Sequence, residues 1–311
     1  MIVGGWITGV AIIMLILIVI IAIILWFSWK ALKSGILSTA KMTIAALVGI
    51  LCFIVLIFYI FHIEPKSLNI TRTNIDINWI NEPIKIVFIT DIHAWSVSDD
   101  FLTAVVQKIN AEKQDFIFLG GDYITGEAEI SKLSVLSTLS AKKGVYAVMG
   151  NHDYAIAHSG FCANKYENEL ADKVVAKLKC MNITVLRNEH IELSDSISIV
   201  GLDDFWSCKS NYSKAMESVN QTHAIILLTH NQEAVPQEEY AKLNLVLAGH
   251  THCGQIRLPI IGSLPKLGGF KGEYEMGLHQ FDKNSYIYTS CGIGNGPRFL
   301  APPEISIVTI Q

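Results

Sequence analysis

Two long uncharged apolar segments constrain this chain more than any other feature. Met1–Trp29 contains no Asp, Glu, Lys or Arg, with an almost wholly aliphatic core over Ile7–Phe27, and a second such segment covers Met42–Ile63. Each exceeds the roughly 20 apolar residues that cross a hydrocarbon core, and neither has an amphipathic period. The sequence therefore predicts a transmembrane hairpin with helices at about residues 7–27 and 42–62. A cleaved signal peptide fits the first segment less well, because no basic residue precedes it and the apolar run is too long.

The loop between the two segments indicates the orientation of the hairpin. Residues 28–41 contain three lysines and no acidic residue, namely Lys30, Lys33 and Lys41. The positive-inside rule places this loop in the cytoplasm and the chain after Ile63 on the outer face. Lys66 and Arg72, just after the second segment, weigh against that orientation. We expect a multi-pass protein of the cell (inner) membrane, with residues 64–311 on the outer, periplasmic or extracytoplasmic, side.

The remainder of the chain has the composition of a globular domain. Over all 311 residues the mean hydropathy is +0.39 and 17% are charged, but 49 of the 52 charged residues lie in residues 63–311. That is about a fifth of the segment, close to the usual value. Residues 64–311 are enough for one domain with a sizeable core, after a membrane domain of residues 1–63. The composition and the net charge of −4 exclude a disordered chain, a disulfide-dense small fold and a basic nucleic-acid-binding protein. We therefore expect no nucleic-acid partner.

The six cysteines predict no disulfide framework. Cys52 lies within the second apolar segment, and the other five have no CxxC spacing: Cys162, Cys180, Cys208, Cys253 and Cys291. An odd number outside the membrane argues against complete pairing. We expect unpaired and mostly buried thiols.

Residues 64–311 alternate between short β-branched runs and polar helical stretches. The predicted strands are Ile84–Thr90, Phe116–Leu119, Val145–Met149, Ile183–Leu186, Ile197–Leu202, Ala224–Leu228, Leu245–Ala248, Tyr286–Ser290 and Ile305–Ile310. The predicted helices lie near Phe101–Glu112, Ser131–Lys142 and Asn164–Lys179. Strands separated by helices indicate an α/β or α+β fold with a large sheet core.

Five of these strands end in clusters of Asp, Asn, His and Gly. In chain order the clusters are Asp91-Ile92-His93, Gly120-Gly121-Asp122, Gly150-Asn151-His152-Asp153, His230-Asn231 and Gly249-His250-Thr251-His252. Each cluster alone is a weak signal, since such residues are common in turns and a single histidine is usually structural. All five in order, each after a strand, are specific. Because ligands bind outside the carboxyl ends of strands in sheets covered by helices, the clusters are expected to converge.

At these five clusters the sequence resembles the calcineurin-like metallophosphoesterases, over roughly Ile84–Ile310. The stretch GHTHCGQIRLPIIG at Gly249–Gly262 and the tail GIGNGPRF…APPEISIVTI are similar to a membrane-associated bacterial branch of that superfamily. The resemblance implies a two-layer β-sandwich flanked by helices, the metallophosphoesterase fold, and a centre of two divalent metal ions. It also implies a metal-dependent hydrolase acting on phosphoester bonds.

The resemblance also implies a ligand set for the two ions. Asp91, His93 and His252 would hold the first ion, Asn151, His230 and His250 the second, and Asp122 would bridge them. A bridging carboxylate suits two ions about 3.5–4 Å apart. Carboxylate, amide and imidazole ligands without a thiolate favour Mn, Fe or Zn, and the sequence does not choose among them.

The expected mechanism is in-line attack on phosphorus by a metal-bridging hydroxide. His152, next to a ligand, is placed to protonate the leaving oxygen or to stabilise charge in the transition state. Asp153 is expected to orient His152 through a hydrogen bond, and the alternative for Asp153 is a turn or capping role.

Three further features bear on the substrate. The apolar stretch Ile256–Phe270 is either a loop that lines the site and contacts lipid or a simple β-turn connection. Candidate phosphate contacts are Arg257 and Lys271, for which a solvated surface position is the alternative. Arg298, which follows a GIGNGP turn, is a better candidate than either. Cys253 stands where the related branch usually has glycine, and a silent packing substitution is the favoured interpretation.

Three functions remain open from the sequence. The leading one is a membrane-anchored phosphohydrolase or phosphodiesterase whose substrate is a phosphoester of a lipid or another envelope molecule. A second resembles the UDP-2,3-diacylglucosamine pyrophosphatases of lipid A synthesis, and it requires a site at the cytoplasmic leaflet. The third is a metal-stabilised scaffold on the membrane without catalysis.

Overall fold

The computed structural model describes residues 39–77, 82–156, 168–260, 274–294 and 296–311, with residues 22, 26, 27, 29, 30, 33, 34, 80, 162, 262 and 263. The α-helices of this part are α1 (Thr39–Phe58), α2 (Asp99–Ala111), α3 (Asn168–Cys180) and α4 (Tyr212–Ala215). A π-helix covers Tyr59–Ile63, and 3₁₀ helices cover Glu64–Lys66, Glu127–Thr138, His152–Tyr154, Gln232–Ala234, Gln237–Lys242 and His252–Gly254. The strands are β1 (Asn69–Ile75), β2 (Ile84–Ile89), β3 (Phe116–Leu119), β4 (Gly144–Ala147), β5 (Thr184–Val185), β6 (Glu189–Ser194), β7 (Ile197–Gly201), β8 (Ala224–Leu228), β9 (Leu245–Ala248), β10 (Arg257–Leu258), β11 (Gly262–Ser263), β12 (Gly277–Asp282), β13 (Ser285–Thr289) and β14 (Glu304–Ile310).

The apolar helix α1 continues without a break into the π-helix and the 3₁₀ turn. Over Thr43–Lys66 this helical segment is long and apolar enough to cross a membrane, and its side chains are mostly exposed. The second predicted membrane segment is therefore helical. The first, at about residues 7–27, lies for the most part outside the described residues, so a hairpin is not established.

Two six-stranded sheets pack face to face. The first has the order β1-β14-β2-β3-β4-β5 and the second the order β12-β13-β9-β8-β7-β6. Strands β2 to β5 are parallel to one another, as are β7, β8, β9 and β13. Apolar side chains from both sheets form the layer between them, including Phe88, Phe118, Ile226 and Leu247. This is the sandwich expected from the sequence.

Helices cover the outer faces of the sandwich. Helices α2 and α3 and the 3₁₀ helix Glu127–Thr138 pack on the first sheet, and α4 packs on the second. Helix α2 begins where Ser98 accepts a hydrogen bond from the Phe101 N–H, and two acidic residues in its first turn suit the helix dipole. The central strands of both sheets are thus buried on both faces. The predicted fold class, α/β or α+β with a two-layer β-sandwich flanked by helices, is confirmed.

The predicted strands agree with the structure to within two residues at each end. The helix expected at Ser131–Lys142 is instead the 3₁₀ helix Glu127–Thr138. Three longer strands were not predicted, namely β1, β6 and β12, and each is an edge strand with alternating or partial exposure. An edge strand faces solvent on one side, so it lacks the continuous apolar run by which the central strands are recognised.

The expectation of unpaired cysteines is wrong. Disulfides join Cys253 to Cys291 and Cys162 to Cys208, with Cα–Cα distances of 4.7 and 5.4 Å. The first pair forms because the neighbouring strands β9 and β13 deliver their following loops side by side. Cys52 and Cys180 are free and exposed. Cys253 is therefore a bonded residue rather than a silent substitution.

The thiol count tests this pairing. Full-length protein, isolated with thiols blocked during lysis and then unfolded without a reductant, is expected to carry label on two cysteines, Cys52 and Cys180. Reduction before labelling should raise the count to six. Intact-mass measurement of maleimide adducts reads both numbers, and a Cys180→Ser control should give one. Label on all six before reduction would contradict the disulfides.

Candidate metal centre

The five predicted clusters converge at one edge of the sandwich. They follow β2, β3 and β4 of the first sheet and β8 and β9 of the second. Five of their side-chain-bearing residues adopt left-handed backbone conformations: Asp91 (φ 52°), His93 (41°), Asp122 (54°), His250 (67°) and His252 (48°). Such conformations are unfavourable for residues other than glycine and concentrate at functional sites. The strands end abruptly here, and the loops turn these side chains towards a common point.

Two glycines allow the loops to approach so closely. A Cβ on Gly150 would collide with the carboxylate and backbone N of Asp122, and a Cβ on Gly249 would collide with the side chains of Thr90 and Asp91. The space beside both carboxylates is therefore filled by backbone.

The first group of donors consists of Asp91, His93 and His252. Oδ2 of Asp91 accepts hydrogen bonds from the Thr90 hydroxyl at 2.8 Å and the His250 N–H at 3.0 Å. Oδ1 of Asp91 instead faces Nε2 of His252 at 3.3 Å. Nε2 of His93 lies 3.3 Å from the same nitrogen. These three donor atoms are within 4.8 Å of one another, which suits a shared cation.

The second group consists of Asp122, His230 and His250. Oδ2 of Asp122 lies 3.2 Å from Nε2 of His230 and 3.5 Å from Nε2 of His93, so this one oxygen faces both groups. Nε2 of His230 lies 3.3 Å from Nδ1 of His250. Nδ1 of His230 donates to the Gly120 carbonyl at 2.8 Å, which directs Nε2 into the centre. The central placement of Asp122 fits the predicted bridging role.

Two buried oxygens in the centre show that the residues fit bound cations. Oδ1 of Asp91 and Oδ1 of Asn151 have no hydrogen-bond donor among the described residues, although both side chains are fully buried. Asn151 is oriented by donation from Nδ2 to the Ile156 carbonyl at 2.7 Å. Buried acceptors without partners are rare and costly unless a cation or water satisfies them. With imidazole and carboxylate donors beside them, these oxygens suit Mn, Fe or Zn.

Burial keeps three of the histidines neutral. It lowers the pKa of His93 and of His250 to about 3, and it holds the pKa of His252 well below its usual range. Burial also raises the pKa of Asp91 to about 6. Neutral imidazole is the form that binds a metal, so these three rings need no deprotonation at neutral pH.

Asp122 and His230 form the charged pair of the centre. Burial disfavours both charges, but the attraction between them outweighs it, so the pKa of Asp122 lies well below its usual range and the pKa of His230 rises to about 10. A cation bound here would displace the His230 proton, because metal and proton compete for the same lone pair.

His152 and Asp153 occupy different positions beside the donors. Nε2 of His152 lies 4.0 Å from Oδ2 of Asp122, its ring meets that of His93 edge-on at 4.7 Å, and 12% of the side chain is exposed. The carboxylate of Asp153 accepts hydrogen bonds from the N–H groups of Gly150, Asp122, Tyr123 and Ile124. Asp153 thereby ties the loops after β3 and β4 together, which differs from the predicted contact with the His152 ring and resembles the turn role that was its alternative.

The cationic candidates for phosphate binding have other partners. The buried guanidinium of Arg298 donates to four backbone carbonyls, those of Cys291, Gly292, Gly294 and Ala301. Arg257 pairs with Glu275 at 3.3 Å and donates to the Cys253 carbonyl. The predicted substrate contact through Arg298 is therefore wrong, because the side chain is 1% exposed and its donors are engaged. Lys271 lies outside the described residues, and Ile256–Phe270 is described only in part, with β10 and β11 as a short antiparallel pair.

A sixth loop at the site, the one that follows β7, was not recognised from the sequence. After β7 the chain reads Asp203-Asp204-Phe205-Trp206, and this loop reaches the centre. The Trp206 ring lies 4.9 Å from that of His250. Burial raises the pKa of Asp204 to about 7. Two consecutive acids after an apolar strand were the available signal, and they were overlooked because no histidine accompanies them.

The comparisons with known proteins agree with this site. The family profile described as calcineurin-like phosphoesterase matches residues 84–254, which is more than half of the chain and includes all five clusters. The chain belongs to the calcineurin-like phosphoesterase family. The resemblance stated from the sequence is thereby confirmed.

Three relatives illustrate the range of the family. An uncharacterized metallophosphoesterase of Helicobacter pylori (strain ATCC 700392 / 26695) is 31% identical over 259 residues, which cover 79% of this chain and 64% of the relative. The chain thus spans slightly less than two thirds of that relative's length. UDP-2,3-diacylglucosamine pyrophosphatase LpxG of Chlamydia trachomatis is 30% identical, over 79% of this chain and 90% of LpxG. Phosphodiesterase YaeI of Escherichia coli is 27% identical, over 81% of this chain and 92% of YaeI.

Replacing Arg298 tests its structural role. Arg298→Met removes hydrogen bonds to four buried carbonyls, so we expect the free energy of unfolding to fall by about 3 kcal/mol or more. Urea unfolding in detergent, followed by near-ultraviolet circular dichroism, measures the change. The exposed control Lys179→Met should stay within about 0.5 kcal/mol. Unchanged stability together with weaker phosphate binding would instead support the predicted contact between Arg298 and the substrate phosphate.

Proposed function

We propose that this chain is a membrane-anchored phosphoesterase that uses two divalent metal ions. Residues 1–63 would form the anchor and residues 64–311 the catalytic domain. One ion would be held by Asp91, His93 and His252. The other would be held by Asn151, His230 and His250, and Asp122 would contact both ions. The observation that carries this proposal is the pair of donor groups that share Oδ2 of Asp122 in one buried cluster.

The chemistry follows from what the cluster can hold and what surrounds it. Two divalent ions would neutralise the oxygens of a bound phosphoryl group and activate a water molecule for in-line attack. The chain supplies the positions: loops in strained conformations fix the donors, and neutral imidazoles keep their lone pairs available. A rigid, preorganised site of this kind loses little energy to reorganisation during the reaction.

His152 is the proposed acid for the leaving oxygen. Its ring borders the donors without being part of the ligand set, and it is partly open to solvent, where a leaving group departs. Asp153 is proposed as a positioning residue that does not touch the substrate. Its carboxylate joins the loop of Asp122 to the loop of Asn151 and His152. A proton delivered by a positioned histidine contributes roughly 10²–10⁴-fold to a rate.

The disulfides support an outer location for the catalytic domain. Cys162–Cys208 and Cys253–Cys291 both lie beyond the membrane helix, and disulfides persist in oxidising compartments. The three lysines of residues 28–41 favour the same orientation through the positive-inside rule. We propose a multi-pass protein of the cell membrane with its site on the outer face.

The proposed substrate class is a phosphoester carried by a lipid or another envelope molecule. A site attached to a membrane helix by a short connection, Glu64–Lys66 followed by β1, acts on substrates near the membrane surface. The similarity to LpxG favours a lipid-linked substrate, and UDP-2,3-diacylglucosamine pyrophosphatase activity is the second candidate. That activity requires an active site at the cytoplasmic leaflet. The two disulfides and the lysines of residues 28–41 favour the outer face instead.

Hydrolysis of a soluble diester tests the activity. Protein loaded with Mn²⁺ is expected to cleave bis(p-nitrophenyl) phosphate, and Asn151→Ala should abolish cleavage because a metal ligand is lost. His152→Ala should lower kcat by about 10²–10⁴-fold while the metal content, measured by mass spectrometry, stays unchanged. His190→Ala, on the edge strand β6, is the matched control and should retain activity. No cleavage by metal-loaded wild type would favour a non-catalytic scaffold.

A reporter fusion tests the orientation. Alkaline phosphatase fused after Gln311 is expected to be active in cells, because that enzyme folds only outside the cytoplasm, and a green fluorescent protein fusion at the same place should be dark. The opposite pattern would refute the outer location and would favour the pyrophosphatase of the cytoplasmic leaflet.

A further inference from the structure

A cavity lies where the membrane helix meets the catalytic domain. Its volume is about 340 Å³, within the range of small-molecule sites. The walls come from the end of the helical segment, from the loop after β2, from α2 and from the loop before Arg298. We call it the junction cavity, and its principal lining residues are Phe61, Pro65, Lys66, Val97, Phe101 and Ile293.

The junction cavity is held rigidly against the helix. The Ile60 carbonyl accepts a hydrogen bond from the Arg298 N–H at 3.0 Å, and the buried carboxylate of Glu64 accepts one from the Ala301 N–H at 2.8 Å. The helix end therefore has a fixed place on the domain. Because the helix is apolar up to Ile63 and Lys66 follows, the cavity is expected at the depth where acyl chains give way to headgroups.

The lining matches an amphiphile with a phosphate. Phe61, Phe101 and Ile293 offer apolar walls, and Lys66 is an exposed cation at the rim. A lysine ammonium at this depth attracts a lipid phosphate by direct charge attraction. A soluble metabolite would not need the apolar walls, and a protein segment would not need the cation at membrane depth.

The cavity lies behind the loop that carries the first donor group. Gly294, in its wall, donates to the Asp91 carbonyl at 2.8 Å, and the Ser96 hydroxyl, also in its wall, donates to the His93 carbonyl at 2.9 Å. The backbone carbonyls of Asp91 and His93 are thus bonded to residues of the cavity wall, while their side chains belong to the donor cluster. A molecule in the junction cavity would therefore touch Ser96 and Gly294, the two residues that hold these carbonyls.

We infer that the junction cavity binds one glycerophospholipid of the bilayer, with an acyl chain against Phe61, Phe101 and Ile293 and the phosphate at Lys66. This lipid would be a structural partner that contacts the residues hydrogen-bonded to the Asp91 and His93 carbonyls, and it is distinct from the substrate. The inference rests on the membrane anchoring of the proposed function and is independent of the phosphoesterase activity.

Photo-crosslinking tests the occupant directly. Full-length protein with Phe101→p-benzoylphenylalanine is reconstituted in vesicles of phosphatidylethanolamine and phosphatidylglycerol and irradiated. We expect a phospholipid mass on the peptide that contains position 101. The same probe at Phe281, which packs on Tyr240 at the outer face of the second sheet, should give no lipid adduct. A second probe at Val97 covers the case in which the Phe101 variant does not fold.

Charge reversal tests the headgroup contact. In the probe-bearing protein, Lys66→Glu should lower the adduct yield several-fold, whereas Lys179→Glu, on the exposed end of α3, should leave it unchanged. A crosslink to the chain's own residues 1–38, or lipid adducts that are equal at Phe281 or insensitive to Lys66→Glu, would overturn the lipid site.

Flotation separates this failure from failure of the proposed function. Protein that does not float with the vesicles contradicts the anchoring itself. Protein that floats but carries no lipid adduct at either probe contradicts only the lipid site. The inactive Asn151→Ala protein should crosslink as well as wild type, since the lipid is not the substrate.

Discussion

The structure depends on a buried cluster of electron-pair donors that suits bound cations. Two carboxylates, one amide and four imidazoles meet at one edge of the sandwich. Between Asp122 and the histidines, and between neighbouring histidines, donor atoms lie 3.2–3.5 Å apart. Burying such groups together is costly, and the chain adds the cost of left-handed conformations at Asp91, His93 and Asp122. The packing of the sheets and the hydrogen bonds around the cluster stabilise this arrangement. The central strands of both sheets are buried on both faces, and Asp153 joins two of the loops by accepting hydrogen bonds from their backbone N–H groups.

Arg298 connects the donor cluster to the apolar helical segment that ends at Lys66. Its side chain holds the carbonyls of the loop that contacts Asp91, and its own N–H is bonded to Ile60 of the helical segment. A continuous set of hydrogen bonds therefore runs from the helix end, through Arg298 and Gly294, to the Asp91 carbonyl. The position of the loop with Asp91 relative to the apolar helix is set by this connection rather than by a flexible linker.

Much of the fold and of the candidate site could be predicted from the sequence, and the failures have physical causes. Central strands such as β3 and β8 are apolar on both faces, so their bounds were predicted correctly, whereas the edge strands β1, β6 and β12 lack that signal. The donor clusters were visible because each directly follows a central strand. The disulfides and the role of Arg298 were not, because both depend on which loops are neighbours in space. Asp204 was overlooked since its loop has no metal-binding pattern.

The place of β14 in the first sheet governs the order in which this domain is able to fold. Glu304–Ile310 inserts between β1 and β2, parallel to the first and antiparallel to the second. Strand β2 precedes Asp91 and His93. It pairs with β3 on one side, and its neighbour on the other side, β14, is available only after Glu304–Ile310 has been synthesised. Folding from the N-terminus during synthesis would leave an open edge beside the loop that carries Asp91 and His93. The sheet and the candidate site are therefore expected to close together, once β14 has been synthesised.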